Sequence, residues 1–318
     1  MNDWIAIASG LVILTIGAEI LIRGATALAR QFGVSELLIG LTLVGFGTSM
    51  PELVASVQAA LVGSPGVAVG NVVGSNLANT LFILGLSAAI APFAVDQKAF
   101  RRDGFVCLVA TLAVIGVSMT GEFSRIAGFS FLVAITLYIL FAFFSERRHP
   151  ESPLAEKHAG DAAKIQGPKS ILLDIVMAIG GLALLVVGAK FLVTGSINIA
   201  ANLGISDAII GLTVVAVGTS LPELVTSIMA ATRGRSALAL GNVVGSNIYN
   251  LFGILGVTAA IHPVKAPAEI VAFDNWVMLG ATLMMLVFAT TKSRLSRAEG
   301  VLLAVSYALY ISWLVVNA

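Results

Sequence analysis

Hydrophobic residues run through this chain in long blocks separated by short polar connections. An apolar run of about 17–25 residues is long enough to cross a bilayer as a helix. Ten such blocks are read, near residues 4–29, 36–62, 67–92, 103–120, 125–145, 170–201, 207–232, 237–261, 271–290 and 296–316. The first and sixth are longer than the hydrocarbon layer needs, which predicts tilt. The expected fold class is all-α, a polytopic membrane protein of ten transmembrane helices. The one long polar stretch, Ser145–Lys169, holds His149, Pro150, Pro153, His158 and Pro168 among mixed charges and reads as a mobile connector. The expected domains are five helices over 1–145, a cytoplasmic linker over 146–169, and five more helices over 170–318.

Composition agrees with the pattern. The 318 residues are 58% hydrophobic and 11% charged, against about 25% charged in a soluble protein. A net charge of +1 with no basic face gives no reason to expect nucleic acid, and no obligate protein partner is evident; the surroundings are membrane lipid. The single cysteine, Cys107, lies in an apolar run and reads as a packing residue. The start MNDW lacks a basic leader segment, so the first block reads as a retained span.

The cations orient the chain. With the N-terminus outside, the cytoplasmic connections carry fourteen: Arg30; Lys98, Arg101 and Arg102; Arg147, Arg148, Lys157, Lys164 and Lys169; Arg233 and Arg235; Lys292, Arg294 and Arg297. The outer connections carry Arg125 and Lys265. Positive residues stay inside, so both termini are expected outside. Trp4, Trp276 and Trp313 then fall near the outer interface, either as an aromatic belt or as lipid-facing packing.

One stretch occurs twice. Gly40–Gly85 reads GLTLVGFGTSMPELVASVQAALVGSPGVAVGNVVGSNLANTLFILG, and Gly211–Gly256 reads GLTVVAVGTSLPELVTSIMAATRGRSALALGNVVGSNIYNLFGILG. They align without a gap, with 27 of 46 positions identical, so residues 171 apart correspond. Gly17/Gly188, Gly24/Gly195 and Gly33/Gly204 extend the match upstream. Five spans per half make the copies antiparallel in the membrane, an inverted repeat of the kind that builds many secondary transporters.

Each copy carries one acid in an apolar run, Glu52 and Glu223. A carboxylate at mid-membrane costs about 2.5–3.5 kcal/mol on insertion scales and needs a neutralising partner. Arg23 lies one turn from Glu19 and is read as its partner, while Lys190 stands where Glu19 has its counterpart. Pro51 and Pro222 clash with the carbonyls of Gly47 and Gly218 and predict helix breaks. Carbonyls around Gly45–Thr48 and Ala216–Thr219 are expected to be freed, which is tolerated at this depth where they line a cavity or hold an ion. Thr48 and Glu52, like Thr219 and Glu223, share a face where the segment is helical. Ser49 and Ser220 add hydroxyls. In GNVVGSNLAN and GNVVGSNIYN, Ser75 with Asn79, and Ser246 with Asn250, share another face, while the glycines either thin the helix for packing or allow it to break.

All these candidates offer oxygen, with no His or Cys, which disfavours zinc and copper. Calcium takes 6–8 oxygens in flexible geometry. Two Glu carry −2, which one Ca²⁺ neutralises, and Na⁺ can use the same oxygens singly. Ions that compete for one pair of carboxylates give coupled exchange.

GTSMPEL…GNVVGSNLAN and GTSLPEL…GNVVGSNIYN resemble the repeats of the sodium/calcium exchanger (cation/calcium antiporter) family, in a prokaryotic member with both repeats. The resemblance implies Ca²⁺ export driven by the inward Na⁺ gradient across the plasma membrane, a bacterial or archaeal inner membrane. It implies Ca²⁺ and Na⁺ as transported ions, with no cofactor. Glu52 and Glu223 would be the shared carboxylates. Thr48, Thr219, Gly45 and Ala216 would offer carbonyls, and Ser49, Ser75, Asn79, Ser220, Ser246 and Asn250 would complete the Na⁺ positions. The first and sixth spans would slide against the rest. Asn at both 79 and 250 argues against K⁺ co-transport, since potassium-dependent branches carry Asp there. Relatives with Glu and Asn also use protons, so Ca²⁺/H⁺ antiport stays open, as does a cation channel. A hydrolase is disfavoured because His149, His158 and His262 lie at loops or span ends.

Overall fold

The computed structural model describes residues 2–33, 46–95, 97–148, 160, 163, 170–232, 236–291 and 294–317. Gly45, the start of the first repeat copy and nearly all of the polar connector lie outside the described residues. Among the described residues eleven helices follow in order: α1 Asp3–Gln31, α2 Met50–Leu61, α3 Pro65–Ile90, α4 Gln97–Ser118, α5 Arg125–Arg148, α6 Ile171–Leu203, α7 Asp207–Thr219, α8 Leu221–Thr232, α9 from Ser236 to Ile261, α10 Ile270–Thr291 and α11 Arg297–Val316. Four two-residue strands, β1 Phe93–Ala94, β2 Glu122–Phe123, β3 Val264–Lys265 and β4 Arg294–Leu295, pair as β1–β4 and β2–β3. The all-α expectation holds for the described residues.

Seven of these helices are long and apolar enough to cross a membrane, or eight when α7 and α8, bent by 49° at their junction, count as one span. The sequence pattern expects ten. The block near 36–62 falls partly outside the described residues, and α4 opens with Lys98, Arg101, Arg102 and Asp103, which lowers its apolar character.

Local sequence signals set many boundaries. Asn2 caps α1 by accepting from the Trp4 N–H at 3.0 Å, and Gly33 and Gly204, both at positive φ (74° and 70°), close α1 and α6. Ser296 and Glu299 form a reciprocal capping box on α11. Glu19 and Arg23 pair at 2.6 Å on an exposed face of α1, as their spacing predicts.

In lipid there is little hydrophobic gain from bringing helices together, so close van der Waals contact through small residues takes over. α1 and α6 cross antiparallel through glycine: a Cβ on Gly10 would lie 2.8 Å from the Gly188 carbonyl oxygen, and one on Gly181 would lie 2.8 Å from that of Gly17. These two contacts correspond under the 171-residue offset. Gln31 donates to Asp174 at 2.6 Å at one end of the pair, and Asn198 donates to Asp3 at 2.9 Å at the other. Gly85 meets Gly300 between α3 and α11, and Gly128 meets Gly256 between α5 and α9.

The core lies where the repeats are. Within the apolar windows of α3 and α9, 78% of residues are buried, against 22% in α5 and α6. The GNVVGSN helices are therefore sheathed by the others. Trp4, Trp276 and Trp313 are all largely exposed, and Trp313 stacks on Phe273 at 3.9 Å.

Candidate functional site

Glu52 and Glu223 are both fully buried, each in the first turn of a helix that starts at the repeat's proline turn. That position sets each carboxylate at the positive end of a helix dipole. The two repeats then exchange partners. Ser49, just before α2, donates to Glu223 Oε1 at 2.9 Å, and Ser220, just before α8, donates to Glu52 Oε1 at 3.0 Å. Each serine thus binds the acid of the opposite copy, which brings the four residues into one cluster. Among the described residues neither carboxylate has an ion-pair partner. Uncompensated charge at this depth is costly.

The remaining polar groups show a common feature. Glu52 Oε2, Glu223 Oε2, Thr48 Oγ1, Ser75 Oγ, Ser246 Oγ, Asn79 Oδ1 and both amide atoms of Asn250 are buried and take no hydrogen bond among the described residues. Seven of the ten oxygen-bearing side chains expected from the sequence therefore hold an unpartnered oxygen. Buried polar atoms are ordinarily paired, so this concentration needs a cause. The oxygens among them are of the kind that hard cations bind.

Other expectations are revised. Thr48 and Glu52 do not share a helical face, because residues 46–49 form a turn and α2 begins at Met50. Thr219 ends α7, and its hydroxyl donates to Asn71 Oδ1 at 3.2 Å and back to Val215 O at 3.0 Å. The proline turns do not leave every carbonyl free. Phe46 O accepts from Ser49 N, Gly47 O from Met50 N and Ala216 O from Ser220 N, at 3.1–3.3 Å. Tight i→i+3 and i→i+4 bonds recapture these oxygens, each of which keeps a second lone pair.

Three features went unread in the sequence. The helices carrying Asn79 and Asn250 relax into π turns over Ala78–Ile83 and Tyr249–Ile254, a distortion common at functional sites. Asn71 binds the Glu52 carbonyl at 3.1 Å and Ser56 at 2.9 Å, while its counterpart Asn242 binds Ser227 at 3.0 Å. Asn247 joins Asn79 at 3.1 Å and Thr80 at 2.7 Å across the repeats. All three asparagines stand inside the duplicated GNVVGSN motif, which was the available signal. Between the copies Phe46 stacks on Tyr249 at 4.0 Å; the corresponding positions are Val217 and Ala78.

Comparison with known proteins gives a consistent picture. A putative antiporter, CaxA, from Alkalimonas amylolytica is 35% identical to this chain, covering 95% of each. The sodium/calcium exchanger MaX1 of Methanosarcina acetivorans is 34% identical over 97% of each chain, and the inner membrane protein YrbG of Escherichia coli is 34% identical over 96% of this chain and 94% of its own. The solved structure of the sodium-calcium exchanger NCX_Mj soaked with Na⁺ and Sr²⁺ superposes with a TM-score of 0.60 at 33% identity, covering 98% of this chain and 99% of that one. The family pattern described as "Sodium/calcium exchanger protein" matches residues 2–145 and 173–316, nearly the whole of both halves, and the chain belongs to that family.

Proposed function

We propose that this protein is a secondary antiporter exchanging Ca²⁺ for Na⁺ across the membrane, exporting Ca²⁺ on the inward Na⁺ gradient without K⁺. The observation that carries the reading is the paired set of buried carboxylates, each bonded through one oxygen to the opposite repeat and left with a second oxygen that takes no hydrogen bond among the described residues. Family membership and the Na⁺ and Sr²⁺ of the related structure support it.

The proposed site combines Glu52 and Glu223 with Thr48, Ser49, Ser75, Asn79, Thr219, Ser220, Ser246 and Asn250, together with carbonyls near Gly45 and Ala216. The charge argument then gives the coupling. Two carboxylates are neutralised by one Ca²⁺, and a mobile ion of lower charge must replace it before the site returns. Ca²⁺ and Na⁺ cannot both occupy the carboxylates, so their passage alternates. The proposed frame is an inverted repeat of five spans each over 1–145 and 170–318, joined by a cytoplasmic linker over 146–169, with both termini outside the plasma membrane. The glycine seam between α1 and α6 suits a pair that moves as one body past the core.

The test is ⁴⁵Ca²⁺ uptake into proteoliposomes with Na⁺, K⁺ and H⁺ gradients imposed in turn. Uptake driven by outward Na⁺ and indifferent to K⁺ is the expected result. Uptake driven by a pH gradient alone would replace Na⁺ by H⁺ as the coupling ion, and flux without any counter-ion would make the protein a channel.

A further inference from the structure

Two asparagines that correspond in the repeats, Asn76 and Asn247, behave differently. Asn76 turns back on its own helix and donates to Val72 O at 2.8 Å. Asn247, 99% buried, reaches into the other repeat. Its Nδ2 donates to Thr80 Oγ1 at 2.7 Å, and its Oδ1 accepts from Asn79 Nδ2 at 3.1 Å. The three groups form a head-to-tail relay, Asn79 to Asn247 to Thr80. Asn79 therefore has its N–H end occupied, while its Oδ1 is buried and takes no hydrogen bond among the described residues.

An amide ligates a cation only through oxygen; its NH₂ end repels one. We infer that Asn247 is a positioning residue for the cation site, holding the Asn79 side chain in the orientation that offers oxygen. The inference rests on the proposed cation site and adds a residue to it that touches no ion. Reversing both amides would require Thr80 to donate and would turn N–H donors where oxygen is needed. For Asn250, the counterpart of Asn79, no such lock is found among the described residues: both of its amide atoms are unpartnered there. The site thus has one amide oxygen set by a neighbour and one amide without that support among the described residues. Pre-setting a ligand removes reorganisation from the binding step, so losing the lock weakens affinity more than turnover.

The experiment measures equilibrium ⁴⁵Ca²⁺ binding and Na⁺-driven ⁴⁵Ca²⁺ uptake on the full-length protein, for wild type, N247A, T80V, T80S, N79A and the N79A/N247A double variant. N247A is expected to raise the half-saturating Ca²⁺ concentration about fivefold or more, with the maximal rate within about twofold of wild type. T80V, which removes the anchor of the relay, shifts it in the same direction by less, and T80S restores it. In the N79A background N247A adds nothing, because it acts through Asn79. Should N247A fail to fold, T80V against T80S carries the same decision. Unchanged affinity in N247A and T80V, or an equal added loss in the N79A background, overturns the inference while leaving the cation site in place. A wild-type protein that binds no Ca²⁺ overturns the site and this inference together.

Discussion

Thr48 and Thr219 stand at the same place in the two repeat copies, and so do Asn71 and Asn242. In one arrangement Thr219 donates to Asn71, which also grips the Glu52 carbonyl and Ser56. In the other, Thr48 takes no hydrogen bond among the described residues, and Asn242 keeps only its bond to Ser227 there and is partly exposed. A Cβ on Gly74 would lie 2.6 Å from Leu212 O, so this helix packs closely on α7. Among the described residues, the first copy's asparagine is the more fully hydrogen-bonded of the two.

Near-identical segments thus make different hydrogen bonds within one molecule, among the described residues. An inverted repeat in which both copies were alike would present the same face to both sides of the membrane. In the proposed inverted repeat, unequal copies would give the molecule a direction. The reciprocal Ser–Glu bonds remain symmetric in this setting, at 2.9 and 3.0 Å. The carboxylate centre is held alike from both sides while the surrounding packing differs.

That comparison is sharpened first at the shared centre. Glu52→Gln and Glu223→Gln should each abolish Ca²⁺ uptake in proteoliposomes to a similar degree. Without one of the two carboxylates a divalent cation in the proposed site keeps an uncompensated charge, which should cost on the order of a hundredfold or more in uptake. Normal transport by either variant would remove the site. At the less constrained amide, Asn250→Asp adds a carboxylate where no hydrogen bond has to be broken. It should alter the Na⁺ or K⁺ dependence of uptake while sparing Ca²⁺ binding, and unaltered monovalent dependence would take Asn250 out of the site.

The close contact at Gly74 and the unequal threonines predict smaller effects. Gly74→Ala pushes a methyl against backbone and should cost about 1–3 kcal/mol, seen as a lower midpoint in thermal unfolding of the detergent-solubilised protein. Thr219→Val leaves the Asn71 carbonyl with a lost donor and should destabilise by about 1 kcal/mol, while Thr48→Val should fall within about 0.5 kcal/mol of wild type. Equal effects of the two threonine variants would mean that the copies are equivalent in solution.

Much of this was legible beforehand. Gly17 and Gly188 follow the repeat offset, and both lie in the glycine seam between α1 and α6. The proline turns, the Glu19–Arg23 pair and the burial of both acids followed from spacing and polarity. The shared face of Thr48 and Glu52 did not hold, because helical spacing cannot be carried across a break. The π turns at Asn79 and Asn250 left no periodic trace in an already apolar run, since one extra residue per turn does not disturb a helix that is buried all round.

Sequence alone determined which residues were repeated, which were acidic in an apolar setting, and therefore that two carboxylates had to be compensated inside a membrane. Those conclusions need only composition, spacing and the cost of charge in lipid. It took the tertiary structure to decide that Ser49 serves Glu223 and Ser220 serves Glu52, and that Asn247 crosses to Asn79 while Asn76 stays on its own helix. Two identical motifs carry identical local preferences. The choice between them comes from neighbours more than 160 positions away in the chain, such as Asn247 for Asn79, which no local pattern encodes.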